Sequence, residues 1–225
     1  MKTIALQITS ITLLFLTSVI YSQGKTNNQA DLQDQINYSK QQNYEYKNPF
    51  TFKIGTGVLL PQNTLKEYFG ISPIVELEIS IPINKKKSVG LSLQTIIPNQ
   101  KESFKYIRDI DTIQAKATVI MNPLLRFKRH LVKTTRSDLN IQFGIGASII
   151  QTNARNPYYE GNEKQNKYES ITSFLATTGI EYSYSINGEE FFIGFDIQYA
   201  PYRVEGALRE DIGTYFYVPK ISYKF

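Results

Sequence analysis

The sequence predicts an all-β chain, an eight-stranded antiparallel up-and-down transmembrane β-barrel with a polar, side-chain-filled interior. Three observations predict it. Apolar and polar residues alternate at a period of two along nearly all of residues 50–225, the mark of strands with two unlike faces. The alternating runs reach about ten residues or more, the length a tilted bilayer-crossing strand needs. The connections alternate between long and short, as the two ends of a membrane barrel do.

Composition sets the outer limits. A chain of 225 residues suits one barrel, and a hydrophobic content of 41 % is too low for a bundle of membrane-spanning helices. There is no Cys, which excludes a disulfide scaffold and a thiolate metal site. One His leaves almost nothing for a transition-metal centre or a His-based hydrolase, so neither metal nor cofactor is expected. The net charge of +5 is mild. It lacks the concentrated basic excess of a nucleic-acid binder, and no nucleic-acid partner is expected.

Residues 1–22 read as a secretory signal. Met1-Lys2 is a short basic start, an apolar run follows through Leu13, Leu14, Phe15, Leu16, Val19 and Ile20, and small Ser22 precedes Gln23. The run is short and interrupted by Thr and Ser, so an uncleaved spanning anchor is the weaker alternative. Residues 23–48 are rich in Asn and Gln with few aliphatics. Such a stretch cannot bury enough apolar area to offset chain entropy, and it reads as a flexible periplasmic tail. The barrel is expected over residues 49–225.

The first strand carries Phe50, Phe52, Ile54, Val58 and Leu60 on one face against Lys53, Gly55 and Gly57 on the other. The second sets Val75, Leu77, Ile79, Ile81 and Ile83 against Glu76, Glu78 and Ser80; the third sets Val89, Leu91, Leu93 and Ile97 against Gly90, Ser92 and Gln94. The fourth reads as one long strand, with Ile113, Ala115, Ala117, Val119, Met121, Leu125 and Phe127 against Gln114, Lys116, Thr118, Asn122 and Arg126. In the fifth, Leu139, Ile141, Phe143, Ile145 and Ile149 oppose Gln142, Gly144, Gly146 and Ser148. In the sixth, Phe174, Ala176, Ile180, Tyr182, Tyr184 and Ile186 oppose Ser173, Thr177, Gly179 and Glu181. The seventh sets Phe191, Ile193, Phe195, Ile197 and Tyr199 against Gly194, Asp196 and Gln198; the eighth sets Tyr215, Tyr217, Ile221, Tyr223 and Phe225 against Lys220, Ser222 and Lys224.

A soluble β-sandwich would alternate too, and it is the rival fold. Its strands are usually shorter, and its polar faces lie outside, whereas here the polar face mixes Gly, Ser, Thr and opposite charges as a narrow interior does. Long connections fall at residues 61–70, 98–111, 152–169 and 201–211, and shorter turns at 84–88, 128–138 and 187–190. Asn187-Gly188 is a strong tight-hairpin signal. Val132 extends the fourth strand into the middle turn, which is longer than the pattern prefers. With the N-terminus in the periplasm, the long loops face outward. Aromatic residues gather at the strand ends as two girdles would: Phe50, Phe52, Phe127, Tyr182, Tyr184, Phe191, Tyr223 and Phe225 at one, Tyr199, Tyr202, Tyr215 and Tyr217 at the other.

The chain ends Tyr217-Val218-Pro219-Lys220-Ile221-Ser222-Tyr223-Lys224-Phe225. This strand resembles the C-terminal signature of outer-membrane β-barrels. The resemblance falls on Tyr217, Ile221, Tyr223 and Phe225 and implies that the barrel-assembly machinery reads them during insertion. Pro219 departs from the pattern because it cannot donate a ladder hydrogen bond, and it is expected at a bulge. The whole span 50–225 resembles the small outer-membrane barrels of the OmpA–OmpX-like superfamily, the Bacteroidota-type "porin family". That resemblance implies a monomer in the outer membrane of a Gram-negative bacterium, with lipid as its surroundings.

An eight-stranded interior is just wide enough for side chains to fill. The alternation places Lys53, Lys116, Arg126, Lys220 and Lys224 there with Glu76, Glu78, Glu181 and Asp196. An unpaired charge in a narrow core would cost several kcal/mol, so a salt-bridged plug is expected. A gated ion path lined by the same charges, as in a small porin or channel, is the alternative.

Catalysis is disfavoured. The single His130 lies within Arg126-Phe127-Lys128-Arg129-His130 and reads as part of a solvated basic turn. There is no Gly-Xaa-Ser-Xaa-Gly elbow. Glu189-Glu190 and the Asp109/Asp111 pair fall in turns or loops, and the latter lacks the ligand count of a calcium loop. The short turns are basic, with Lys85, Lys86, Lys87 and Arg129 prominent. They offer lipid phosphate or an acidic periplasmic partner a contact, with ordinary solubilising turn chemistry as the alternative. The long loops, with Phe104, Tyr106, Tyr158, Tyr159 and Tyr168 among polar residues, suit adaptable binding or simple solvation. The expected role is structural, binding or accessory to envelope assembly or secretion.

Overall fold

The computed structural model describes residues 50–225 apart from 85, 109–110, 135, 156–158, 160, 162–166, 187, 204–210 and 214. The signal and tail expected over 1–22 and 23–48 lie outside the described residues, as do Lys85, Asp109, Tyr158 and Asn187.

Eight strands close into one barrel. They are β1 (Thr51–Pro61), β2 (Ser72–Asn84), β3 (Lys87–Ile96), β6 (Ala117–Lys133), β7 (Ser137–Arg155), β8 (Tyr168–Ile186), β9 (Glu189–Tyr199) and β10 (Tyr215–Lys224). Neighbours in this order are antiparallel, and β10 returns to pair with β1. A separate hairpin, β4 (Phe104–Arg108) with β5 (Asp111–Ala115), and one helical turn, α1 (Leu65–Tyr68), stand in the long connections. No helix among the described residues is long and apolar enough to cross a membrane.

The period of two is realised along every barrel strand. Residues Ile79, Leu91, Phe143, Ile180, Ile193 and Ile221 are outward and exposed, while the residues between them are inward and buried. Leu91 is 65 % exposed and Ile193 is 63 %, and they belong to a contiguous set of exposed large apolar residues on all eight strands, far larger than the patches a water-soluble body carries. The continuous exposed apolar band is the lipid-facing surface of a transmembrane barrel, and the sandwich alternative falls with it.

Three expectations are corrected. The long fourth strand is two: β5 ends at Ala115 and β6 begins at Ala117. At the break, the Lys116 N–H donates to Asn153 Oδ1 at 2.7 Å and the Asn153 N–H donates to the Lys116 carbonyl at 2.9 Å. Alternation runs through this junction unbroken, so the sequence pattern does not mark it. Lys116 is therefore exposed at the mouth and not in the lumen. The turn expected over 128–138 shrinks to 134–136, because β6 continues to Lys133 and β7 starts at Ser137. Thr134 Oγ1 closes this turn by accepting the Ser137 N–H at 3.0 Å. Pro219 sits at no bulge. The β9–β10 register runs straight through Pro219↔Phe195. On the β1 side the pairs resume in the same register after a gap opposite Val58 and Leu59. The missing proline N–H removes a rung without displacing the strand.

The interior is layered. Toward the short turns it is polar, as expected. Toward the long loops it is apolar: Leu59, Ile74, Ile96, Ile120, Leu124, Ile150, Ile171, Leu175, Phe216 and Val218 all point inward and are buried. The long connections close this end. Leu65 and Tyr68 of α1, Phe69, Phe104 of β4, Tyr202 and Ile212 are buried in the same cluster. Phe104 stacks on Tyr68 with ring centroids 5.5 Å apart and meets Phe69 edge-on at 6.0 Å.

Candidate functional site

Alternation along six strands delivers charged side chains to the lumen. Lys53 comes from β1, Glu76 and Glu78 from β2, Arg126 and Lys128 from β6, Glu181 from β8, Asp196 from β9 and Lys220 from β10. Glycines make room for them. A Cβ at Gly179 would strike the Asp196 carboxylate and the Phe195 carbonyl, and one at Gly194 would press on the Lys220 side chain.

The eight charges form two neutral quartets. In the deeper one, Arg126 reaches Glu76 Oε1 at 2.6 Å, Asp196 Oδ2 at 3.0 Å and Ser92 Oγ at 2.8 Å. Lys220 reaches the same two carboxylates at 2.7 and 3.0 Å. In the one nearer the short turns, Lys128 lies 2.8 Å from Glu78 and 2.9 Å from Glu181. Lys53 lies 3.4 Å from Glu78 and 2.9 Å from Glu181, with its ammonium 4.1 Å from the centroid of the Phe192 ring. Four cations thus face four carboxylates, each cation touching two carboxylates, so the low-dielectric lumen holds no net charge from these residues.

An amide layer follows on the long-loop side. Gln94 Nε2 donates to Glu76 Oε1 at 3.3 Å, Gln198 Nε2 donates to Gln94 Oε1 at 3.1 Å, and Ser148 donates to Asn122 Oδ1 at 2.6 Å. The Tyr202 hydroxyl enters from the last long connection and lies 2.6 Å from Ser148 Oγ. Burial pushes this phenol up to about 12, so it remains a neutral hydrogen-bonding group. Above it stands the apolar cluster.

Of the lumen residues expected from sequence, Lys53, Glu76, Glu78, Arg126, Glu181, Asp196 and Lys220 meet inside. Lys116 does not. Lys224 lies at the rim, half-buried, and pairs with Glu190 at 2.8 Å. Lys128 joins them: its Lys-Arg-His run reads as turn chemistry, but it lies on β6, and its spacing of two from Arg126 puts it on the inward face. His130 is not in a solvated turn either. It is half-buried on β6 and hydrogen-bonded through Nδ1 to Asp138. Lys86, Lys87 and Arg129 are exposed at the short-turn rim. At the chain end, Tyr223 packs against Phe191 at 5.3 Å and Phe225 at 5.1 Å between ring centroids, while Tyr217 stacks on Phe195 at 5.8 Å. Ile221 faces outward and is exposed.

No family model matches the chain, and no curated protein matches it. Solved structures do. Neisserial surface protein A superposes with a TM-score of 0.54 at 9 % identity, covering 79 % of this chain and 98 % of that one. A major outer membrane protein from Thermus thermophilus gives 0.44 at 8 % identity over 79 % and 100 % of the two chains. OprG from Pseudomonas aeruginosa gives 0.41 at 13 % identity over 78 % and 95 %. The first likeness establishes a shared fold, an outer-membrane type of β-barrel; at such identities it carries no residue roles.

Proposed function

We propose that this chain is a bacterial outer-membrane barrel that works through its surfaces, as a structural, binding or envelope-assembly and secretion accessory protein, and not by conduction or catalysis. The observation that carries the reading is a lumen filled with buried, mutually bonded side chains. Two neutral quartets, an amide layer and an apolar cluster succeed one another along the axis. A permeating ion would have to break buried pairs and then cross a hydrophobic zone, each unfavourable by several kcal/mol.

The location rests on the exposed apolar band, the barrel fold and the contrast of long and short connections. By that contrast the short turns and the N-terminal tail are periplasmic and the long loops face out. The final strand, through Tyr217, Ile221, Tyr223 and Phe225, serves the barrel-assembly machinery. Closure gives each of the eight barrel strands a hydrogen-bonded neighbour on both sides, which supports a monomer. The non-enzymatic reading is supported by the lumen carboxylates, each held by cations, and by His130, whose partner is a rim carboxylate.

Planar-bilayer recording of the refolded protein tests the closed lumen. The expected outcome is no steady conductance at either polarity. A steady ohmic conductance would replace this reading with the channel.

A further inference from the structure

The short-turn rim has two unlike halves. Over β8, β9, β10 and β1 its outer face carries aromatic rings: Tyr182, Tyr184, Phe191, Tyr223 and Phe52. Over β2, β3 and β6 the outermost positions carry aliphatic and cationic residues, and the aromatic Phe127 of β6 lies one alternation further in. Ile81, Ile83 and Leu131 are exposed there, beside exposed Lys86, Lys87 and Arg129.

Lys87 and Arg129 are direct cross-strand partners in the β3–β6 ladder. Both lie on the outward face, one alternation beyond lipid-facing Phe127 and Val89. Residues so paired have Cβ atoms about 4.5–5.5 Å apart, and like charges directly opposite destabilise a sheet. Neither has a carboxylate partner among the described residues, whereas Lys128, one position along and facing inward, is fully paired. A like-charged pair at the edge of an apolar belt is favourable when an anion sits between the two cations.

We infer that Lys87 and Arg129, with Lys86 beside them, form a binding site for the phosphate of an anionic phospholipid in the periplasm-facing leaflet, with Ile81, Ile83 and Leu131 against its acyl chains. Two features select lipid over an acidic protein. The pair points sideways, out of the barrel wall and not along its axis, and it is continuous with the lipid-facing band. Arg offers a planar fork to two phosphate oxygens while Lys adds a point charge. Attraction of this kind is worth about fivefold in affinity per basic residue near a charged surface. The inference rests on the membrane reading above.

The test is to refold the full chain into vesicles of phosphatidylcholine alone and of phosphatidylcholine with phosphatidylglycerol. The readout is the temperature at which the compact, heat-modifiable band unfolds on a gel. Insertion into both vesicles tests the membrane reading separately. The wild type is expected to unfold at a higher temperature with phosphatidylglycerol, and added salt is expected to shrink the difference. Lys87→Gln with Arg129→Gln should abolish most of that difference. Arg129→Glu should raise the unfolding temperature in phosphatidylcholine alone, by giving Lys87 a partner, and remove the response to phosphatidylglycerol. A response that is absent in the wild type, or undiminished in both variants, overturns the site. Capture of a poly-glutamate peptide at the rim without any lipid response would assign the patch to an acidic protein instead.

Discussion

Arg126 shows how much one side chain carries. It is fully buried and bonds two carboxylates and a hydroxyl. Arg126→Met leaves Glu76 and Asp196 sharing Lys220 alone, and breaking a buried pair in this way costs about 3–5 kcal/mol. The heat-modifiable band of that variant should unfold at a clearly lower temperature. Adding Asp196→Asn rebalances the quartet, so the double variant should recover part of the loss, a coupling that independent sites would not show. At this scale the sequence is readable where the alternation is unbroken. Lys53, Glu76, Asp196 and Lys220 follow from parity. Lys128 follows from the same parity, but a Lys-Arg-His run resembles turn chemistry and hides a strand. Lys116 keeps the lumen parity across a strand break that only backbone bonds to Asn153 reveal. Lys224 has the right parity at the wrong depth, since alternation reports a face and not a height.

Among the elements, the β4–β5 hairpin and α1 are concealed in the sequence: the alternation of β5 merges with that of β6, while β4 and α1 fall in stretches that read as long connections. The hairpin's anchor is Phe104, buried between Tyr68 and Phe69. Phe104→Ala removes packing worth about 3–5 kcal/mol for a fully buried ring. Because Phe104 shares the apolar cluster with inward-facing barrel residues, the loss is expected to be largest at the lid: amide exchange should rise most across residues 104–115, and the unfolding temperature of the barrel should fall by less than in Arg126→Met. Exchange rising equally in β2 and β6, with an equal drop in unfolding temperature, would contradict a lid that opens before the barrel. The final strand behaves differently. Its alternation is legible throughout, and the β1–β10 pairing lapses beside Pro219, opposite Val58 and Leu59, without a slip of register.

For the whole molecule, closure and the outward apolar band follow from eight alternating runs of suitable length. The layering of the lumen does not, because a period-two reading assigns one face to lipid and treats the other as uniformly polar. The missing signal is nonetheless present as adjacent apolar pairs: Leu59-Leu60, Ile96-Ile97, Leu124-Leu125, Ile149-Ile150 and Phe174-Leu175. In each, one residue faces lipid and its neighbour faces inward, in the half of the barrel nearer the long loops. Apolar on both faces means a strand buried on both sides, here by lipid outside and by the lid-covered cluster inside. The short-turn half of the lumen holds the charge quartets and so keeps the alternation, with the exception of Phe191-Phe192-Ile193, where the inward Phe192 ring lies against the Lys53 ammonium.

The most direct test of the central claim, that apolar side chains meet lipid while the charges lie within, uses the absence of cysteine. Single replacements Leu91→Cys, Phe143→Cys and Ile193→Cys can each carry a nitroxide, read by electron paramagnetic resonance after refolding into vesicles. All three labels should collide freely with oxygen, which concentrates in hydrocarbon, and be shielded from a water-soluble nickel chelate. Labels immobilised and shielded from both, or open to the chelate, would mean that these side chains pack in a water-soluble interior or face water, and the membrane barrel would be contradicted.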